Sequence, residues 1–187
     1  MLAYVFWHWK RADIDAGPYE DRVIHFHRAL QAHPPEGLTS SACFALRGVP
    51  WAHDGGEAWE DWYLLRSSAD LDPLNDAAIS AARQAPHDAA AAAAAGGTAG
   101  LYRLRLGVPV ARPSMAAWFG KPAGWTYPEL LERLAGVVVE GKGALWGRQM
   151  TLGPSREFCL HASGASALPE ELDALDIPLR AVFPAAG

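Results

Sequence analysis

Cysteine is scarce in this chain: 187 residues contain two, Cys43 and Cys159, and they share no CxxC-type spacing. Both sit in segments that read as strands. They are therefore expected to be buried free thiols, which argues against a disulfide framework, a cysteine-rich metal site or redox chemistry. Long apolar runs are missing as well. No stretch reaches the ~18 residues of a spanning helix, and the start MLAYVFWHWKRAD places its positive charges after the apolar run, the reverse of a secretory signal. A cytoplasmic location with no membrane partner is expected. Positive charge is in short supply, with 16 Lys and Arg against 21 Asp and Glu and a formal net charge of -5. Nucleic-acid binding depends on cationic side chains displacing phosphate counterions, so no nucleic-acid partner is expected. The chain also has no Walker loop, no Gly-x-Ser-x-Gly elbow and no zinc-type spacing of Cys and His. His25 and His27, two apart on a helix, diverge by roughly 200° and cannot chelate one ion together. No metal is expected.

What the chain does have is tryptophan, eight residues in all, with Trp7, Trp9, Trp59 and Trp62 in just two candidate strands. Large aromatic rings suit half-buried pleated surfaces. Residues 3–10 alternate Tyr4, Phe6, His8 and Lys10 with Ala3, Val5, Trp7 and Trp9, the period of a strand. Pro18 near a first helical position, followed by Tyr19, Val23, Phe26 and Leu30 at helical spacing, predicts a helix that runs to about Ala32 and stops at Pro34-Pro35. Strands are expected over 39–47 and 58–66, helices over 73–84 and 87–95 closed by Gly96-Gly97, and a fourth strand over 100–107. The order then repeats. A strand is expected over 115–121, and Thr126 with Glu129 forms a capping box for a helix carrying Leu130, Leu134 and Val138. Strands over 144–152 and 155–162 flank Gly153-Pro154, and a short helix over 169–175 precedes a last strand over 178–183.

This order resembles the ferredoxin-like split βαββαβ unit, and two such units in one chain resemble a fused form of the dimeric α+β barrel superfamily. The resemblance spans nearly the whole chain and rests on element order alone. It implies an α+β fold of two ferredoxin-like units, residues 1–107 and a shorter 112–187, whose sheets face each other in a pseudo-dimeric barrel with helices outside. Members include monooxygenases that need no added cofactor, haem-handling enzymes, isomerases, lactone-forming enzymes and ligand-sensing domains, so the fold constrains reaction class weakly. The implied function is a small-molecule enzyme, cofactor-independent and oxygenase- or isomerase-like, acting on an aromatic or carboxylated compound. A non-catalytic ligand-binding or stress-related protein is the alternative. No cofactor is expected; a haem held by His25 or His27 is the alternative there. The partner would be a small molecule, and a homo-oligomer is compatible with the fold.

Charged side chains recur on nearly every expected strand, among them His8, Asp61, Arg66, Arg148 and His161. A sheet face covered only by helices should not hold such groups. They are therefore expected to point into the barrel or to solvent, which places the site between the facing sheets. There Trp62 and Tyr63 would flank the ligand, Arg66 and Arg148 would hold its negative charge in bidentate fashion, and His8 or His161 would move a proton. The plainer reading is a lattice of cross-strand ion pairs, such as Arg66 with Asp61.

Overall fold

The structure is a computed structural model and describes residues 1–140, 142–164 and 167–184. The expected second unit ends at Gly187, outside the described residues. The alternation in β1 (Leu2–Lys10) sorts its side chains as the period requires. Ala3, Val5 and Trp7 are fully buried in one core, while Tyr4 and Phe6 pack in another on the opposite face. A helix α1 (Ala16–Ala32) follows, burying Tyr19, Val23, Phe26, His27 and Leu30 along one stripe. Then come β2 (Leu38–Leu46) and β3 (Ala58–Leu65), two short helices α2 (Leu71–Ala78) and α3 (Gln84–Ala93), and the long strand β4 (Ala94–Gly107).

The second part of the chain supplies β5 (Met115–Phe119), α4 (Tyr127–Glu140), β6 (Ala144–Arg148), β7 (Phe158–Ala162), β8 (Leu175–Pro178) and β9 (Arg180–Phe183). The capping box forms as expected, with the Thr126 backbone N–H and hydroxyl donating to Glu129 Oε2 at 2.7 and 2.8 Å. Leu130, Leu134 and Val138 then face β5, β6 and β7. The strands are antiparallel in the order β8-β5-β7-β6-β4-β1-β3-β2-β9. Within it, β4-β1-β3-β2 and β8-β5-β7-β6 show one pairing order twice. The two ends of this sheet are consecutive in sequence: β8 pairs with β5, and after Leu179 the chain continues as β9, which pairs with β2. The chain itself thus links the two ends of a near-closed barrel. No described helix is long and apolar enough to cross a membrane.

Several expectations need correction. Gly96 and Gly97 do not close a helix; they lie inside β4, opposite Trp9 and His8 of β1. A Cβ at Gly96 would stand 2.5 Å from the Trp9 ring, and one at Gly97 2.4 Å from the Phe6 ring. These glycines are there because aromatic rings of β1 lie across the strand, a close approach that sequence alone reads as a stop. The strand expected over 178–183 is β9 from Arg180 onward, an unexpected strand β8 (Leu175–Pro178) precedes it, and the helix expected over 169–175 is a single 3-10 turn, Glu170–Leu172. The strand expected over 155–162 begins only at Phe158.

Candidate active site

The space between the facing sheets is filled. Trp7, Trp62, Trp118, Trp146 and Tyr102 are buried there with Phe44 and Ile177 in one continuous core drawn from both parts of the chain. The rings meet edge-on or tilted, as in Trp7 with Trp118 and Trp62 with Trp146, at centroid distances of 5.6 and 5.4 Å. A void of about 20 Å³ beside Trp62, Trp146 and His161 has room for one water. A site between the sheets, as expected from the sequence, would have only this small void to use among the described residues.

A far larger space lies on the other face of the first sheet. A cavity of about 710 Å³ opens between β1, β3 and the start of β4 on one side and α1, α2 and α3 on the other. Tyr4, Phe6, Phe26 and Tyr63 give it aromatic walls, and Ala90 and Ala91 of α3 keep one side shallow. The alanine run thus supports a helix and, by lacking side-chain bulk, leaves volume beneath it. No Lys or Arg is among the described lining residues; the charged ones are Asp61 and Asp72.

At the cavity floor, pairing sets a polar cluster. Asp61 on β3 is opposite Phe6 on β1 and Cys43 on β2, so all three share the helix-side face. Asp61 Oδ1 lies 3.0 Å from His27 Nε2 and 3.3 Å from His8 Nε2, and Oδ2 accepts the Tyr63 hydroxyl at 2.8 Å. The other ring nitrogens are occupied too: His8 Nδ1 meets Tyr19 Oη at 2.6 Å and His27 Nδ1 meets Ser41 Oγ at 2.9 Å. His8 Nε2 makes no hydrogen bond. Burial by itself would raise the Asp61 carboxyl, but His8 and His27 outweigh it and hold the group well below the usual carboxylate range. Burial, reinforced by Asp61, pushes the hydroxyls of Tyr19 and Tyr63 and the Cys43 thiol upward. The floor is thus a fixed carboxylate ringed by hydroxyls, a thiol and two imidazoles.

The structure divides the expected site residues. His8 and Tyr63 line the cavity. Trp62 cannot flank a ligand together with Tyr63, because adjacent strand residues point to opposite faces, and its ring lies inside the barrel 4.2 Å from that of His161. His161 stands on β7 in that interior, apart from His8, with its imidazole pushed down to about 3 by burial. Arg66 is exposed beside Glu36 and Asp70 at 3.5 and 3.9 Å. Arg148 donates to the carbonyls of Gly153 and Ser155 at 3.0 and 2.5 Å, fixing the β6–β7 loop. Neither arginine reaches the cavity. The expected Arg66–Asp61 ion pair is absent among the described residues: Asp61 is buried against His8 and His27, while Arg66 is exposed beside Glu36 and Asp70.

Sequence reasoning missed Asp61, Tyr19, His27, Ser41 and Cys43 as one group. One signal was available: His27 falls four residues after Val23 and three before Leu30, on the buried stripe of α1. His25, two residues earlier, is exposed.

The sequence matches no protein-family model and no curated protein. Solved structures do match. A putative monooxygenase from Fusobacterium nucleatum subsp. nucleatum ATCC 25586 superposes with a TM-score of 0.65 at 8% identity, covering 98% of this chain and 93% of that one. An anthrone oxidase-like protein gives 0.56 at 10% identity, covering 100% and 91%. A putative monooxygenase from Lactobacillus acidophilus NCFM gives 0.56 at 9% identity, covering 98% and 95%. At such identities the likeness is one of fold: the chain shares with these proteins the antiparallel α+β barrel flanked by helices.

Proposed function

We propose that the cavity takes a neutral aromatic compound bearing an acidic C–H or phenolic O–H, and that the protein oxidises it with dioxygen without a bound cofactor. The observation that carries this reading is the buried His8 imidazole on the cavity wall, its Nε2 outside hydrogen-bond geometry but 3.3 Å from the ionised Asp61. Such a nitrogen accepts a substrate proton. The imidazolium formed is then stabilised by a carboxylate 3.3 Å away. Tyr19 on Nδ1 holds the ring in place. For a methylene between two rings, the electron pair left on carbon reduces dioxygen by one electron, and the resulting radicals combine. Return of the proton from His8 gives a hydroperoxide, and loss of water leaves a ketone. In sum, one methylene and one dioxygen become one carbonyl and one water. The names of the structural neighbours support an oxygenase class, and a lining without Lys or Arg among the described residues speaks for a neutral ligand over a carboxylated one.

In this reading the two units, 1–107 and 112–187, divide their tasks. The first holds the site, and the second fills and closes the barrel behind it. The test is oxygen uptake in chelator-treated buffer with a panel of anthrones and hydroquinones, for wild type and His8→Gln. A kcat reduced ~100-fold or more with nearly unchanged substrate affinity is expected. Tight binding without turnover in the wild type would favour a ligand carrier, and equal turnover by His8→Gln would overturn the mechanism.

A further inference from the structure

We propose that His8, Cys43 and Asp61 form a binding site for one divalent transition-metal ion of the zinc type. Their candidate ligand atoms, an imidazole nitrogen, Sγ and a carboxylate oxygen, all lie within 4.8 Å of one another, and all three residues are buried. Around a tetrahedral ion with bonds of about 2.0–2.3 Å, neighbouring ligand atoms stand about 3.3–3.8 Å apart. The 3.3 Å from His8 Nε2 to Asp61 Oδ1 fits that edge. His8 Nε2 is among the buried polar atoms that make no hydrogen bond, and it faces Asp61 Oδ1 across this group. The three residues come from adjacent strands β1, β2 and β3, so the scaffold is rigid.

The surroundings match what a metal site needs. Metal-bound histidines usually donate the other ring N–H to an oxygen, and His8 Nδ1 has the Tyr19 hydroxyl at 2.6 Å. Asp61 is oriented by Tyr63 and by His27, which is itself set by Ser41. One thiolate, one carboxylate and one imidazole suit a borderline-soft ion and not Mg²⁺ or Ca²⁺, which want oxygen alone. His8 and Asp61 also line the cavity, so an ion held by the three residues would be reached from it. The inference goes beyond the proposed oxidation and stands without it. Where both hold, the ion takes up the Nε2 lone pair and halts proton transfer.

The test is titration of chelator-treated protein with Co²⁺ and with Zn²⁺. A saturating one-to-one Co²⁺ complex with a thiolate charge-transfer band is expected, reversed by Zn²⁺. Cys43→Ser should abolish the band, His8→Gln and Asp61→Asn should weaken Zn²⁺ binding by more than ten-fold, and Tyr19→Phe by about ten-fold. Cys159→Ser, in the barrel core, should change nothing. Lack of a charge-transfer band in the wild type overturns the proposal whatever the variants do, and so does Zn²⁺ binding that survives both Cys43→Ser and His8→Gln undiminished.

Discussion

Glu60 and His161 face each other inside the barrel, Oε1 to Nε2 at 3.9 Å, and neither atom has a hydrogen-bond partner. At this separation they would pass for an ion pair. Yet burial pushes Glu60 up to about 7 and His161 down to about 3, so between those values both are uncharged. The pair is a neutral one, with Trp7 Nε1 donating to the other Glu60 oxygen at 2.9 Å.

The pair sets an unusual pH profile. The Glu60 contribution to stability is complete below its ordinary value of 4.5 and lost as pH rises through about 7. The His161 contribution is complete above its ordinary 6.5 and lost as pH falls toward about 3. Between 4.5 and 6.5 the unfolded chain carries its proton on histidine and the folded chain on glutamate, so this pair's linkage cancels there. A flat melting temperature across that window is expected, with loss on the acid side of about 2 kcal/mol by pH 3. In Glu60→Gln, which keeps an acceptor for Trp7, stability should instead climb with pH across the whole window. Parallel profiles for the two proteins, followed by circular dichroism, would show that the pair is not the source.

Gly97→Ala should be felt in the cavity. The added methyl meets the far end of the Phe6 ring and, at 3.0 Å, the Trp7 carbonyl, so the ring must swing inward. A stability loss of about 1–3 kcal/mol is expected, together with weaker binding of aromatic ligands. Unchanged chemical denaturation would mean that Phe6 has another place to go.

The arginines provide a test of ligand charge. Arg66→Ala should leave stability within about 0.5 kcal/mol, since the side chain is solvent-facing. Arg148→Ala should cost about 1–3 kcal/mol by leaving two loop carbonyls without their donor. Both should bind an aromatic ligand within about two-fold of wild type. A ten-fold loss in either, measured by calorimetry, would revive a carboxylated ligand.

Local chemistry made much of the fold legible. The alternation of β1 and the Thr126–Glu129 box depend on residues within a few positions of each other, and both appear where the pattern puts them. Gly96 and Gly97 misled because their meaning lies in Trp9 and Phe6, more than eighty positions away. The site failed for the same reason: Asp61 gains its role from His8, His27, Tyr63 and Cys43 on four elements, which no spacing in one segment displays. That Trp62 and Tyr63 cannot flank one ligand follows from local chemistry alone, since the two-residue period of a strand sends neighbours to opposite faces.

The crossing at Leu179 reaches beyond the folded state. Cys43 pairs with Phe183, which lies 140 positions later, so β2 keeps an open edge until the final strand has been made. During synthesis and refolding that edge accepts any matching strand. The β9 of a second copy matches as well as the chain's own. Crowded refolding should therefore yield strand-exchanged pairs, while dilute refolding lets each chain latch its own barrel.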